Sequence, residues 1–314
     1  MIAIKKVAAS ALCACAGVIF YAPSAWALLP IQHWTEPNGA KVWLVESPVI
    51  PMVDVQVDFD GGSRRDPAEK SGLASAVALM ASKGVKGGKE GQGAEPALDE
   101  NALGEAWADL GAGFEAGADN DALRYSLRSL TDAPLLDRAA RLAARQMAEP
   151  SWPADIWARD RARWSASLRE AATRPSTVAG EAFAAAVYGN HPYGQRTTPE
   201  TLARISVDDM QRFHAQTVAA CRARVSIVGA VNRTQAQELV AKLLGRLPAS
   251  SGNCAPLPAV PEVEPLNAAA EQAIEGLGGA PHQVGAHVVV FRVFQGFGAF
   301  LDQGQQQAFG VAVL

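Results

Sequence analysis

Several things are scarce in this chain, and each scarcity excludes something. Basic runs are absent: 28 Lys and Arg stand against 32 Asp and Glu for a net charge of -4. That balance argues against a nucleic-acid partner. After the first two dozen residues no apolar run approaches the ~20 residues needed to span a bilayer. Histidine occurs five times, at 33, 191, 214, 282 and 287. No two of these fall at i, i+4 in an expected helix, which removes the simplest way for one helix to offer a metal two imidazoles. No G-x-S-x-G elbow occurs, and no glycine-rich phosphate loop joins a strand to a helix. Only four cysteines are present, and two of them, Cys13 and Cys15, lie near the start.

What is there begins with an address. Lys5 and Lys6 precede an apolar stretch from Val7 to Ala22, and Ala25-Trp26-Ala27 supplies small residues around a cleavage point. This pattern predicts a signal peptide over residues 1–27, cleaved after Ala27, and export to a periplasm. An uncleaved anchor is the alternative. Cleavage leaves Cys221 and Cys254, which an oxidising compartment permits to form a disulfide, although the sequence does not place them side by side.

The chain is 49% hydrophobic over its full length, enough for a substantial core. Lys41–Glu46 and Val53–Phe59 read as strands, the second alternating cleanly. Helices are expected over 99–110, 134–147, 153–170, 177–187, 206–217 and 234–243. Phe114–Ala118 and Ala122–Leu130 make a hairpin across Asp119-Asn120-Asp121, and Ala223–Gly229 is a further strand. Gly84–Pro96 reads as a mobile surface loop and Tyr188–Ile205 as a second loop. The order predicts an α+β domain, a mostly antiparallel sheet covered by helices on one side, over residues 28–247. A Pro-rich linker follows over 248–272 and a Gly- and Gln-rich tail over 273–314.

Residues 59–84, FDGGSRRDPAEKSGLASAVALMASKG, carry the sharpest signal. Asp66-Pro67 and the run to Gly72 feed a helix with Leu73, Val77 and Met80 on one face. Ser75, Ala78 and Leu79 form a second stripe, a spacing that lets a helix present two imidazoles and a carboxylate. Gly62, Ser63, Arg64, Pro67, Gly72, Leu73 and Ala74 reproduce the frame G-S-R-x-x-P-x-x-x-x-G-L-A. Together with Asn190-His191-Pro192-Tyr193-Gly194 and the strand Val225–Gly229, this resembles the M16 peptidases, the insulinase, pitrilysin and mitochondrial processing peptidase relatives.

In that family the frame leads into the inverted zinc motif H-x-x-E-H. Here the resemblance puts Ser75 and Leu79 at the two histidine positions and Ala78 at the general base. It puts Ser167 at the third, glutamate ligand, with Asp160 two turns upstream. Asp160, flanked by Arg159 and Arg161, otherwise reads as a solvated helix charge. Glu170 lies about one turn from the ligand position. One carboxylate without imidazoles would not hold zinc tightly, so no catalytic residue, metal ligand or cofactor is expected. His191 reads as part of a turn set by Pro192 and Gly194.

The resemblance then implies the non-catalytic subunit of a paired peptidase. A zinc-bearing homologue would be its heterodimer partner, and the inert subunit would shape the cavity and contact peptide substrate. A binding or scaffolding protein without such a partner is the alternative. Family subunits hold two similar half-domains, and the tail beyond Ala273 resembles no part of the second. This implies truncation after the first half-domain, with a single-domain protein as the alternative. The export reading has a direct check: N-terminal sequencing of exported material should begin at Leu28, whereas a retained Met1 in a membrane fraction would favour the anchor.

Overall fold

The computed structural model describes residues 30–88, 95–248 and 254–262, together with the backbone of 271–274 and 289–292. The expected signal peptide and most of the tail lie outside the described residues. Six strands form the main sheet: β1 (Ile31–Thr35), β2 (Lys41–Glu46), β3 (Met52–Phe59), β6 (Gly113–Ala118), β7 (Leu123–Leu130) and β8 (Arg224–Gly229). Two short strands, β4 (Gly84–Val85) and β5 (Leu98–Asp99), pair separately, as do β9 (Glu271–Ile274) and β10 (Val289–Arg292). The helices are α1 (Leu73–Met80), α2 (Glu100–Asp109), α3 (Ala133–Ala148), α4 (Ala154–Ala171), α5 (Pro175–Tyr188), α6 (Pro199–Ala203), α7 (Val207–Thr217) and α8 (Arg233–Leu244).

The sheet order is β1-β2-β8-β3-β7-β6, and every pairing is antiparallel except β2 with β8. Period-two alternation decides its faces. Val53, Val55, Val57 and Phe59 of β3 are buried, and so are Leu123, Tyr125 and Leu127 of β7 and Val225 and Ile227 of β8. These residues sit opposite one another in register, Val55 facing Leu127 on one side and Ile227 on the other. The helices cover this inner face. The outer face carries cross-strand ion pairs, Asp54 with Arg128 and Asp58 with Arg124. The fold is thus the α+β arrangement that the sequence implied.

The caps explain several helix starts. Asp99, Asp132 and Asn232 accept a backbone N–H at the first turns of α2, α3 and α8. Ser206 and Asp209 form the reciprocal box expected from their spacing, with Asp in place of Glu. Helix α1 has a different device. Gly72 precedes it with φ of 102°, a left-handed conformation that favours glycine. Asp66, only 5% exposed, accepts from Gly72 N–H at 2.8 Å and Ala74 N–H at 2.9 Å. The Asp-Pro turn is therefore a remote cap, and it fixes where α1 begins.

The structure corrects the sequence in four places. The segment from Gly84 does not start as a mobile loop: Gly84 and Val85 are buried and pair with Asp99 and Leu98. Residues 89–94 of that expectation lie outside the described residues. The Tyr188–Ile205 loop contains helix α6, capped by Thr198 and Thr201 in a reciprocal box. Strand β1 was not predicted, because its residues lie at the sheet edge and alternate between exposed and half-buried rather than buried. The Pro-rich segment is not a free linker over 254–262. Cys254 is bonded to Cys221, with Cα atoms 5.8 Å apart. Beyond it Arg222 donates to the Ala255 carbonyl, Arg65 to that of Pro258 and His191 Nε2 to that of Pro261.

Asp66 generates a pH test. Burial raises its carboxyl from the ordinary 3.8 to about 6, against the pull of the backbone N–H groups of Ala74, Gly72 and Leu73. The folded state then holds a proton that the unfolded state has released, so this group's contribution falls as pH rises from about 4 to 6. The stability difference between wild type and Asp66→Asn should be about 2–3 kcal/mol larger at pH 4 than at pH 7. Urea unfolding of both proteins at the two pH values measures it, and a pH-independent difference would refute the assignment.

Candidate functional site

Helices α1 and α4 contribute to one cavity of about 600 Å³. Ser75 and Leu79, one turn apart on α1, and Ser167 on α4 all line it. The three positions lie up to 92 residues apart in sequence, and only the packed fold brings them to one wall. Ala78 does not join them, for it is 4% exposed within the core. Helix geometry explains this: Ala78 lies about 60° to one side of Ser75 and Leu79 about 40° to the other. The stripe read from the sequence is therefore split, with two members in the cavity and one packed beneath it.

The remaining lining residues are Lys83, Glu100, Arg159, Asp160, Arg163 and Trp164. Lys83, three residues beyond α1, bonds Glu100 at 2.5 Å and lies 3.5 Å from Asp160. Arg159 reaches the same two carboxylates, Asp160 at 2.7 Å and Glu100 at 3.2 Å. Two cations thus bridge two anions in a closed ring. The Arg159 bond holds Asp160 below the usual carboxylate range, and the Lys83 bond does the same for Glu100. Asp160 is 8% exposed, so it is not the solvated helix charge read from its neighbours.

Other candidates fall away from this cavity. Glu170 pairs with Arg174 at 2.8 Å and does not line it. His191 is buried, and both ring nitrogens are engaged: Nδ1 accepts from Tyr193 N–H at 3.1 Å and Nε2 donates to the Pro261 carbonyl at 2.9 Å. It anchors a turn and the segment docked on that turn. His214 donates to the Met147 carbonyl at 2.8 Å, and burial lowers its pKa.

The donor set does not fit zinc. Two hydroxyls and a leucine stand at the positions that the resemblance assigns to its ligands, and neither histidine nor cysteine lines the cavity. Its two carboxylates already neutralise Lys83 and Arg159, whose charges would repel a dication. Among the described residues no group of three or more His, Cys, Asp or Glu side chains is placed to hold a metal ion. What the cavity offers instead is hydroxyl, indole and guanidinium donors beside an apolar wall. Glu100 and Arg163 were not singled out from the sequence, and Lys83 and Arg159 were not read as parts of a site. The available signal was the i, i+4, i+8 row Arg159, Arg163, Ser167 on one helix face.

A mostly antiparallel sheet with helices on one face, and a cavity framed by the helix after β3 and the long helix α4, define this α+β domain. Residues 204–288 match the family model described as the peptidase M16 inactive domain. A peptidase M16 inactive domain from Pseudomonas fluorescens is 29% identical, with a TM-score of 0.65 over 77% of this chain and 54% of that one. A protease from Helicobacter pylori is 22% identical, with a TM-score of 0.63 over 74% of this chain and 54% of that one. The periplasmic protease PqqL from Escherichia coli is 16% identical and shares the fold, with a TM-score of 0.62 over 75% of this chain and 26% of that one. No curated protein matches the sequence. Over these stretches the chain is similar to the M16 peptidase family, and it spans about half or less of the length of these solved relatives. Among the described residues no helix is long and apolar enough to cross a membrane.

The ion-pair ring makes its own prediction. Lys83→Met should destabilise the domain by about 1–3 kcal/mol, since Asp160 and Glu100 lose a shared cation. The double variant with Glu100→Gln should cost clearly less than the sum of the two singles. Chemical denaturation of the four proteins measures the coupling, and strict additivity would dissolve the ring.

Proposed function

We propose that this protein is a non-catalytic M16 subunit, which pairs with a zinc-bearing homologue, shapes the cavity of the pair and contacts its peptide substrate. One observation carries the reading. Ser75, Leu79 and Ser167, the residues standing at the family's metal positions, line a single cavity in which a Lys83–Arg159–Glu100–Asp160 ring occupies the polar side. The scaffold is retained while the ligand chemistry is replaced by side chains that satisfy one another. A site left with unpaired buried ligands would cost about 1–3 kcal/mol for each group. The ring removes that cost and leaves a shaped surface.

The proposed setting is a periplasm, reached through the leader cleaved after Ala27. Support comes from the leader pattern, from the bonded Cys221–Cys254 pair, which suits an oxidising compartment, and from the likeness to a periplasmic protease. Closing a loop of 33 residues restrains the unfolded chain by about 3–4 kcal/mol.

Affinity purification of the full chain from its native host tests the proposal. The expected result is co-elution of a homologue bearing H-x-x-E-H, with zinc assigned to that partner and well under one zinc per copy of this chain. A tightly held zinc in the isolated chain would overturn the reading. Elution alone would favour a binding or scaffolding protein that kept the fold without a peptidase partner.

A further inference from the structure

The geometry points to a carboxylate-binding subsite in the α1–α4 cavity, formed by Arg163, Ser75, Ser167 and Trp164, which takes a carboxylate of a bound peptide. It deepens the proposed function and rests on the reading that this chain contacts peptide. The charge ledger is the first argument. Lys83, Arg159 and Arg163 line the cavity with only two carboxylates, Glu100 and Asp160. Lys83 and Arg159 consume both anions in the closed ring. Arg163 is left over. It comes no nearer than 3.9 Å to Asp160, and its side chain is 75% exposed.

The second argument is the set of donors around that surplus charge. Among the described residues, the hydroxyls of Ser75 and Ser167 and the indole N–H of Trp164 have no hydrogen-bond partner within the protein. Three neutral donor groups and one guanidinium fork thus belong to residues lining one cavity, and no carboxylate remains there unpaired to receive them. A carboxylate supplies two oxygens with about four lone-pair sites, and the fork matches it in two parallel bonds. A metal cation is excluded by the surplus positive charge. Leu79 and the Trp164 ring form the apolar side of the same cavity and suit the hydrocarbon part of the residue that bears the carboxylate.

That carboxylate has two sources, the C-terminus of a peptide or an Asp or Glu side chain. Three labelled octapeptides separate them: one ending in a free Leu carboxylate, its C-terminal amide, and an amide carrying Glu at the last position. Fluorescence anisotropy with the full chain should show one or both acids binding at least tenfold more tightly than the plain amide, and the tighter acid names the source. Arg163→Gln should abolish that difference. Arg161→Gln should preserve it, because Arg161 lies over the Trp157 ring and does not line the cavity. Equal affinity for all three peptides would overturn the subsite and leave peptide contact standing, as would an undiminished difference in Arg163→Gln. No binding of any peptide by folded protein would also overturn it, while pairing with a zinc-bearing homologue is decided separately by co-elution.

Discussion

Strand β3 is the constraint on which the rest of this domain depends. It is the strand through which the distant halves of the chain meet, pairing with β8 along one edge and β7 along the other. Its four inward residues, Val53 to Phe59, therefore have apolar partners on both sides and helices above. Burying such residues contributes about 1.5–3 kcal/mol each before entropy is counted. A single slip in register would turn Asp54, Gln56 and Asp58 inward, and three unpaired polar groups would meet the core. Register is therefore fixed, and with it the position at which the chain leaves β3 for α1.

That exit point places the cavity. From Phe59 the chain turns through Asp60, whose carboxylate is raised by burial but held at about 2 by bonds from Arg65 and Arg64. It then reaches Asp66, which caps α1 from outside the helix. Two charged devices thus fix both the turn and the helix start, so Ser75 and Leu79 arrive at a defined height above the sheet. Helix α4 is held from the opposite direction: Trp157 is buried and donates to the Ile205 carbonyl at 3.1 Å. Between them Lys83 locks the end of the α1 segment to α2 and α4 through the same two carboxylates.

The residues that the resemblance puts at the metal positions, and the ion-pair ring beside them, have a physical logic. A zinc site concentrates anionic and imidazole donors that are stable only when the ion is bound. Small or apolar residues at those positions remove the demand for an ion. Cations from Lys83 and Arg159 satisfy the acidic groups nearby. Such a ring ties three helical segments together through mutually satisfied charges.

Much of the fold was legible in the sequence, because alternation in β3 and β7, proline and Asp or Ser caps, and the G-S-R frame are local signals. The bare edge strand β1 was not, since neither of its faces is fully buried and periodicity had nothing to report. The short strands β4 and β5 escaped for the opposite reason: two residues give no period. At the site, the sequence alone determined which residue types stand at positions 75, 78, 79 and 167, the positions that the resemblance assigns to the zinc motif. Only the tertiary structure decided that Ser75, Leu79 and Ser167 share a cavity while Ala78 lies in the core. It likewise decided that Asp160 is buried among cations rather than solvated. The reason is that ion pairing and burial depend on distances across the fold, and Lys83, Glu100 and Asp160 carry no sign in the sequence that they will meet.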